Sequence, residues 1–526
     1  MLPGIKNAKY LILGLILLVG LGLRMEGLKW GIPKAPYWRS YHPDERVAFY
    51  TLLEMTNSNG TFNPHYFVNP TFHYYLIGSA WWVAKSFKLV PSPQDVINES
   101  PSVTLGDVTR IWLLARSISV ILGVLTIWLT YLLGRELFNN DVFALVAAWL
   151  AAVMPTLVIQ SHYLTVDGPV GFWFLAAILL TVRAFKDKRH RIWAAAGLLA
   201  GIAVATKYNA LIGIMSVFTA LFIRQLANRD DRTEKPHFKA GIFIGCLIAG
   251  FLLGCPYAIL SFGEWMTGLK GLLYYNDFVT DWLYPWMQTS RFSLGWPGWF
   301  LFLAALAAIF IKPDKTGTIL AAGLLPYFLV YGYKASPFMR HMVLMVPLMV
   351  LLIIYAVGKA GRYIRHPSFI MVAGGFILLT SGYALANSLA WVKVMSGQDT
   401  REEAAEYIRM RVPLGSVVGL AGRSWFYTPP LEEEEYNLAR LDYVPAKLEQ
   451  FYPSLIVVSE YESKQYAFCR VPAGVRNEFF RLLKERYYVA KVYKRVPECL
   501  GIKFEGYPLA DWNYFYPEIT IYERSF

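Results

Sequence analysis

The tetrapeptide His42-Pro43-Asp44-Glu45 sets two adjacent carboxylates just after the first hydrophobic segment of the chain. Paired acids beside a bilayer suit a general base held against a lipid-borne substrate, because a carboxylate can take the proton of an attacking hydroxyl or amine. Further along, His162 and Asp167 bracket a short stretch between apolar runs, Lys207 follows the second apolar run after it, and Arg340-His341 adds a cation and a titratable ring. Arg116 lies inside an apolar run, where a charge requires a partner. Acids and cations together suit a substrate with an attackable centre and an anionic group, and a lipid phosphate meets that description.

Membrane helices must position these residues. The chain is 56% hydrophobic and only 17% charged, with a mean hydropathy of +0.37, outside the range of soluble domains. Apolar segments run over 10–23, 111–133, 142–159, 170–185, 192–205, 210–223, 242–260, 299–311, 319–331, 342–357 and 369–389. They predict a polytopic α-helical membrane protein of about eleven spans. No small-residue cleavage site follows the first segment, which therefore reads as a retained helix. Segment 71–87 is apolar but carries His73, Tyr74, Tyr75, Trp81, Trp82 and Lys85, the composition of an interfacial helix.

A net charge of +13 does not indicate nucleic acid, because Lys and Arg fall in short loops at 135–140, 186–191, 224–239, 312–315 and 359–365. The positive-inside rule puts those loops in the cytoplasm if 71–87 does not span. His42, Asp44, Glu45, His162, Asp167, Lys207, Arg340 and His341 then all face outward, with the tail after Trp391. The expected domains are a membrane domain over 1–391, whose first outer loop 29–109 holds interfacial helices, and a soluble extracytoplasmic α/β domain over 392–526. In the latter, 401–411 and 476–486 read as helices, and 416–420, 455–459, 488–493 and 519–523 as strands. The aromatic loop 262–297 reads as a lid over a lipid donor or as an interfacial anchor. Of four cysteines, Cys246 and Cys255 lie roughly 13 Å apart along one helix and cannot bridge; Cys469 and Cys499 remain a candidate disulfide.

The order His-Pro-Asp-Glu after the first helix, Asn69-Pro70-Thr71-Phe72-His73-Tyr74-Tyr75, Arg116 early in the second span, His162-Tyr163-Leu164-Thr165-Val166-Asp167, and Thr206-Lys207-Tyr208-Asn209 resembles polyprenyl-phosphate-dependent glycosyltransferases. Specifically, it looks like the superfamily of protein O-mannosyltransferases and aminoarabinose transferases, over roughly residues 8–363. The resemblance implies the C-type glycosyltransferase fold, a catalytic acidic pair at Asp44 and Glu45, and a site lined by Asp167 and Lys207.

The chemistry of such a transfer needs a base and a stabilised leaving phosphate. Asp44 takes the first role, with Glu45 and Asp167 beside it as catalytic candidates. Lys207, Arg340, His341 and Arg116 are the candidates for the donor phosphate, and His42, His73, Tyr74, His162 and Tyr163 for substrate binding. A single displacement inverts the anomeric centre. The Asp-X-Asp arrangement of metal-dependent relatives is missing from the first outer loop, so no cofactor is expected, with a divalent metal left open. The expected partners are a polyprenyl-phosphate-linked sugar, a lipid, glycan or protein acceptor, and membrane lipids, at the plasma membrane.

Each assignment has a plainer competitor: Asp44-Glu45 as a helix start, Asp167 as a helix cap, Lys207 as a snorkelling lysine. Two other function classes also compete, a transporter or flippase of lipid-linked or anionic substrates and a membrane-anchored binding or assembly protein.

Overall fold

The structure is a computed structural model that describes residues 3–525 apart from 35–39, 58–60, 188, 228–235, 275–282, 284, 334–337, 365, 423, 425–426, 462, 464–470 and 505–514. The chain forms two compact units, Met1–Leu28 with Val47–Val392, and Lys29–Arg46 with Lys393–Phe526.

The helices, in chain order, are α1 (Pro3–Met25), α2 (Pro43–Asn57), α3 (Phe72–Ser86), α4 (Pro93–Ile97), α5 (Leu105–Phe138), α6 (Asp141–Val153), α7 (Pro155–Gln160), α8 (Asp167–Ala184), α9 (His190–Thr206), α10 (Ala210–Ala227) and α11 (Pro236–Gly254). They continue with α12 (Tyr257–Leu260), α13 (Phe262–Tyr274), α14 (Ser290–Ile311), α15 (Lys315–Tyr333), α16 (Met345–Ile364) and α17 (Pro367–Met395). Among the described residues nine helical stretches are long and apolar enough to cross a membrane, and α6 and α9 are shorter apolar helices. All eleven apolar segments of the sequence are helical. The interfacial candidate α3 has 15 residues, about 22 Å at 1.5 Å each, short of a bilayer core.

The apolar segment 142–159 is two helices because Pro155 interrupts it. Proline has no N–H to give the carbonyl of Ala151, and α6 ends at Val153, so its last carbonyls need other donors. Arg24, wholly buried at the end of α1, donates to Ala152 O at 3.0 Å and Ala151 O at 3.5 Å. Ser388 on α17 donates to Val153 O at 2.7 Å. Arg24 also reaches Ser161 Oγ at 3.2 Å, which ties α1 to the turn that carries His162.

The α8–α9 hairpin carries Asp167 at one end and Lys207 just beyond the other. Gly168 follows Asp167, and a Cβ there would lie 2.4 Å from the carbonyl of Gln160. Only glycine lets the start of α8 meet the end of α7 so closely. On α9, a Cβ at Gly201 would lie 2.1 Å from Leu247 O, and one at Gly250 of α11 would lie 2.3 Å from Leu198 O. This close backbone approach, characteristic of membrane helix pairs, anchors the end of α9 that delivers Lys207.

Much of the 262–297 region is helical instead of the loop read from its aromatic content. Residues 262–274 form α13, and its Trp265 donates to Tyr208 OH at 3.0 Å. Phe262 and Trp265, three residues apart, share one face of this helix, and an amphipathic helix carries such aromatics as readily as an anchoring loop does. The tip of that region, with Asp277 and Asp281, lies outside the described residues.

In the second unit, α18 (Thr400–Arg411) precedes β1 (Val417–Leu420), β2 (Asn437–Arg440), α19 (Pro445–Phe451), β3 (Leu455–Ser459), α20 (Ala473–Arg486), β4 (Tyr487–Tyr493), β5 (Glu498–Cys499), β6 (Ile502–Lys503) and β7 (Ile519–Arg524). The main sheet has the order β2-β1-β3-β7-β4, and β5 pairs with β6 apart from it. Strand β1 is parallel to β2 and β3, and β7 is antiparallel to β3 and β4. Every residue of β3 is buried, as a central strand covered on both faces requires. Leu455 and Val457 pack with Ala404 and Ile408 of α18, while Ile456 and Val458 pack with Leu448 of α19 and Leu483 of α20. This is the small α/β domain expected of the tail, with β2, α19 and the β5–β6 hairpin not read from sequence. The candidate disulfide of Cys499 falls on Cys469, which lies outside the described residues.

Candidate functional site

In the first unit, Asp167 stands at the first position of α8 and Lys207 immediately after α9. Their side chains form an ion pair, with relative exposures of 6% and 13%. Burial makes either partner alone costly, because removing one leaves an uncompensated charge away from water. Asn209 continues the same turn and donates through Nδ2 to Tyr327 OH at 2.7 Å and Tyr331 OH at 2.8 Å. Tyr327 OH in turn donates to the carbonyl of His341. A hydroxyl that donates there must accept from Asn209, which fixes the amide orientation.

Tyr327 and Tyr331 stack at 4.5 Å, Tyr331 meets the His341 ring at 5.0 Å, and the Arg340 guanidinium lies 3.9 Å from the Phe338 ring. The turn Met339–Met342 packs against α7 and α8, and Asp167 is near enough to act electrostatically on Tyr327. Asp167, Lys207, Arg340 and His341 therefore sit around one polar and aromatic cluster. Asn209 Oδ1 is buried there with no hydrogen-bond partner, an acceptor suited to a substrate hydroxyl.

The second unit holds His42, Asp44 and Glu45. Pro43 opens α2 with Asp44 and Glu45 in its first turn, an arrangement favoured by the fixed φ of proline and by the positive end of the helix dipole. His42 caps that helix by accepting the Asp44 N–H on Nδ1 at 3.2 Å, which leaves its proton on Nε2 when the ring is neutral. Ser40 Oγ donates to Glu45 Oε2 at 2.5 Å and accepts from His42 N–H at 3.0 Å. Glu45 is fully buried and Asp44 half-buried. The helix start read as a competitor to catalysis is thus real, and it holds Glu45 rigidly while leaving Asp44 the more accessible acid.

Arg401 of α18 is buried in that unit with a two-point bridge to Asp399, Nε to Oδ1 and Nη2 to Oδ2 both at 2.7 Å. Its guanidinium lies 3.9 Å from the centre of the Tyr41 ring, beside His42. The tail thereby fixes the segment that enters α2.

The remaining candidates sit elsewhere in the first unit. Arg116 donates to Leu28 O at 2.6 Å. The His162 ring meets Val158 O at 2.9 Å and Glu26 O at 2.8 Å. Together with Arg24 they hold the turn that follows α1. Burial lowers the His162 imidazole to about 4, although both carbonyls favour its charged form. Tyr163 is buried beside it in the chain, and Tyr74 is buried on α3. His73 is buried with neither ring nitrogen hydrogen-bonded, and burial lowers it to about 3. Among the described residues no three His, Cys, Asp or Glu side chains gather as a metal site.

Sequence reading assigned no role to Arg24, Ser40, Asn209, Tyr327, Tyr331 or Arg401. Asn209 stood next to a candidate, and Tyr327 and Tyr331 share a face by their spacing of four. Arg24 looks in sequence like any basic residue ending an apolar helix.

A family model described as dolichyl-phosphate-mannose-protein mannosyltransferase matches residues 110–253. No curated protein matches the chain in sequence. Among solved structures, ArnT from Cupriavidus metallidurans in the apo state aligns at TM-score 0.50 and 13% identity, covering 98% of each chain. Its undecaprenyl phosphate complex aligns at 0.50 and 13% over 99% of this chain and 98% of that one. The Archaeoglobus fulgidus oligosaccharyltransferase aligns at 0.49 and 13% over 90% of this chain and 71% of that one. The chain is a polytopic membrane protein with the C-type glycosyltransferase fold, and it is similar to the superfamily of protein O-mannosyltransferases and aminoarabinose transferases that its ordered motifs indicated.

Proposed function

We propose that this protein moves a monosaccharide from a polyprenyl-phosphate donor to an acceptor hydroxyl or amine at the extracytoplasmic face of the plasma membrane. The observation that carries the reading is the position of Asp44, a half-buried acid in the first turn of α2, fixed by the His42 cap on a C-type glycosyltransferase fold. The matched family is named for a dolichyl-phosphate sugar, and ArnT was solved bound to undecaprenyl phosphate; both support a lipid phosphate as the carrier.

In this reading Asp44 removes the acceptor proton as the acceptor atom bonds to the anomeric carbon. The bond from that carbon to the phosphate oxygen breaks, and the electron pair leaves with polyprenyl phosphate, which gains a negative charge. Inversion follows from the single displacement. Lys207 and Arg340 answer the developing charge, with His341 and Arg116 as further phosphate candidates. An ammonium has three donors, so the one used on Asp167 leaves the others for phosphate oxygens, and Asp167 orients Lys207. Glu45 is a positioning residue through Ser40. The transfer in this reading is metal-independent, with the charge on the leaving phosphate answered by Lys207 and Arg340.

The test is transfer from a panel of labelled polyprenyl-phosphate hexoses and pentoses to membrane extracts, by purified wild type and Asp44→Asn, with chelator present. Transfer by wild type alone supports the reading and names the sugar. Equal transfer by both proteins removes Asp44 as base, and loss of wild-type transfer on chelation removes metal independence.

A further inference from the structure

A cavity of about 540 Å³ lies at the end of the α8–α9 hairpin opposite to Asp167 and Lys207, lined among others by Glu136, Arg183, Lys186, Asp187, Arg189 and Arg191. Helix α8 has 18 residues, so roughly 27 Å of helix separates this cavity from Asp167. Four cations face two carboxylates, and both carboxylates are already engaged. Glu136 pairs with Arg183 at 3.0 Å and Lys186 at 2.6 Å, and Asp187 pairs with Arg189 at 2.5 Å. Arg191 makes no ion pair among the described residues. Lys315 lies within electrostatic reach of Lys186 and Arg224, adding positive charge nearby. Topology alone explains basic residues in a cytoplasmic loop, but it does not require them to ring a cavity. Leu180, Ile192 and Ala195 supply an apolar wall where the helices leave the bilayer.

We propose that this cavity binds a phosphate group presented by an anionic phospholipid of the cytoplasmic leaflet, seated on Arg189 and Arg191 with its glycerol end against the apolar wall. Basic hollows between membrane helices at that face suit such headgroups, and the volume suits a small ligand. Arg183 and Lys186 are held by Glu136 and Arg189 by Asp187, which keeps the rim fixed; Arg191 and the guanidinium N–H groups of Arg189 not used on Asp187 meet the ligand.

The test is native mass spectrometry of the full chain released from nanodiscs of mixed phosphatidylglycerol and phosphatidylcholine. Wild type should retain phosphatidylglycerol in preference. Arg189→Gln and Arg191→Gln should each lower retention about fivefold, and R191K should restore most of it, with unchanged size-exclusion profiles and melting. Millimolar inorganic phosphate should not displace the lipid. Retention unchanged in the double glutamine variant would overturn the proposal. So would thermal stabilisation of wild type by inorganic phosphate without any lipid preference, which would assign the cavity to a soluble anion.

Discussion

Lys207 reaches back to Asp167 and closes an ion pair that is almost wholly removed from solvent. The pair joins the two ends of the α8–α9 hairpin and leads directly to Asn209 and its two tyrosines. Each partner requires the other, because a single charge at that depth has no compensation. Asp167→Asn or Lys207→Met should therefore destabilise the protein by about 3–5 kcal/mol, and the double variant should recover part of that loss. Thermal melting of all four proteins in detergent measures it. Transfer should stay low in both variants that lack Lys207, whatever their stability.

The neighbouring acids Asp44 and Glu45 should separate by assay. Asp44→Asn should lower transfer by about 10²–10⁴-fold, the range for a lost general base, with melting unchanged. Glu45→Gln can still accept from Ser40, whereas Ser40→Ala removes that donor beside a buried carboxylate and should cost about 1–3 kcal/mol. Equal loss of transfer in Asp44→Asn and Glu45→Gln would remove the distinction between base and positioning residue.

Arg401 extends this argument into the tail. Its fork holds Asp399 at two points while its flat face meets Tyr41. Lysine offers neither the fork nor the plane. Arg401→Lys should thus lower transfer and speed proteolysis within 29–46, even though the charge is kept. Unchanged cleavage there would show that the tail does not fix this segment.

The legible part of this fold was what periodicity and hydropathy encode. Each of the eleven apolar segments is helical, and the six tail elements read from alternation occur close to their expected bounds. Pro155 could be seen, but the donor that answers the carbonyls it frees could not, since Arg24 lies more than a hundred residues away in sequence. Asn209 was visible as a residue next to Lys207. Its role depends on Tyr327 and Tyr331 arriving from α15, a tertiary contact with no local signature. The helical backbone of 262–274 is not legible in its aromatic content, because composition reports affinity for an interface and not backbone shape.

Arg24 gives that tertiary contact a measurable weight. Arg24→Met would leave the carbonyls of Ala151 and Ala152 buried without donors, at about 1–3 kcal/mol each. Arg24→Lys can satisfy one of them and should lose less. Melting temperatures ranked wild type, then lysine, then methionine would match a capping role. Equal losses in both variants would indicate that the planar fork itself is required.

Acid sensitivity supplies a test of the turn after α1. Burial lowers His162 from its ordinary 6.5 to about 4, so the folded protein holds a neutral ring that the unfolded chain protonates readily. Between those values the unfolded state binds more protons, and stability must rise with pH across that window. The contribution is complete above about pH 6.5 and is lost as pH falls toward 4; a shift of this size corresponds to about 3 kcal/mol. His162→Gln keeps a polar side chain between Val158 and Glu26 but cannot titrate, so its melting temperature should fall less than that of wild type between pH 6.5 and 4. His73, lowered further to about 3, leaves a residual slope that His73→Phe should remove. Parallel melting curves for wild type and His162→Gln across that window would show that His162 is not the acid-sensitive group, and would return the turn after α1 to Arg24 and Arg116 alone.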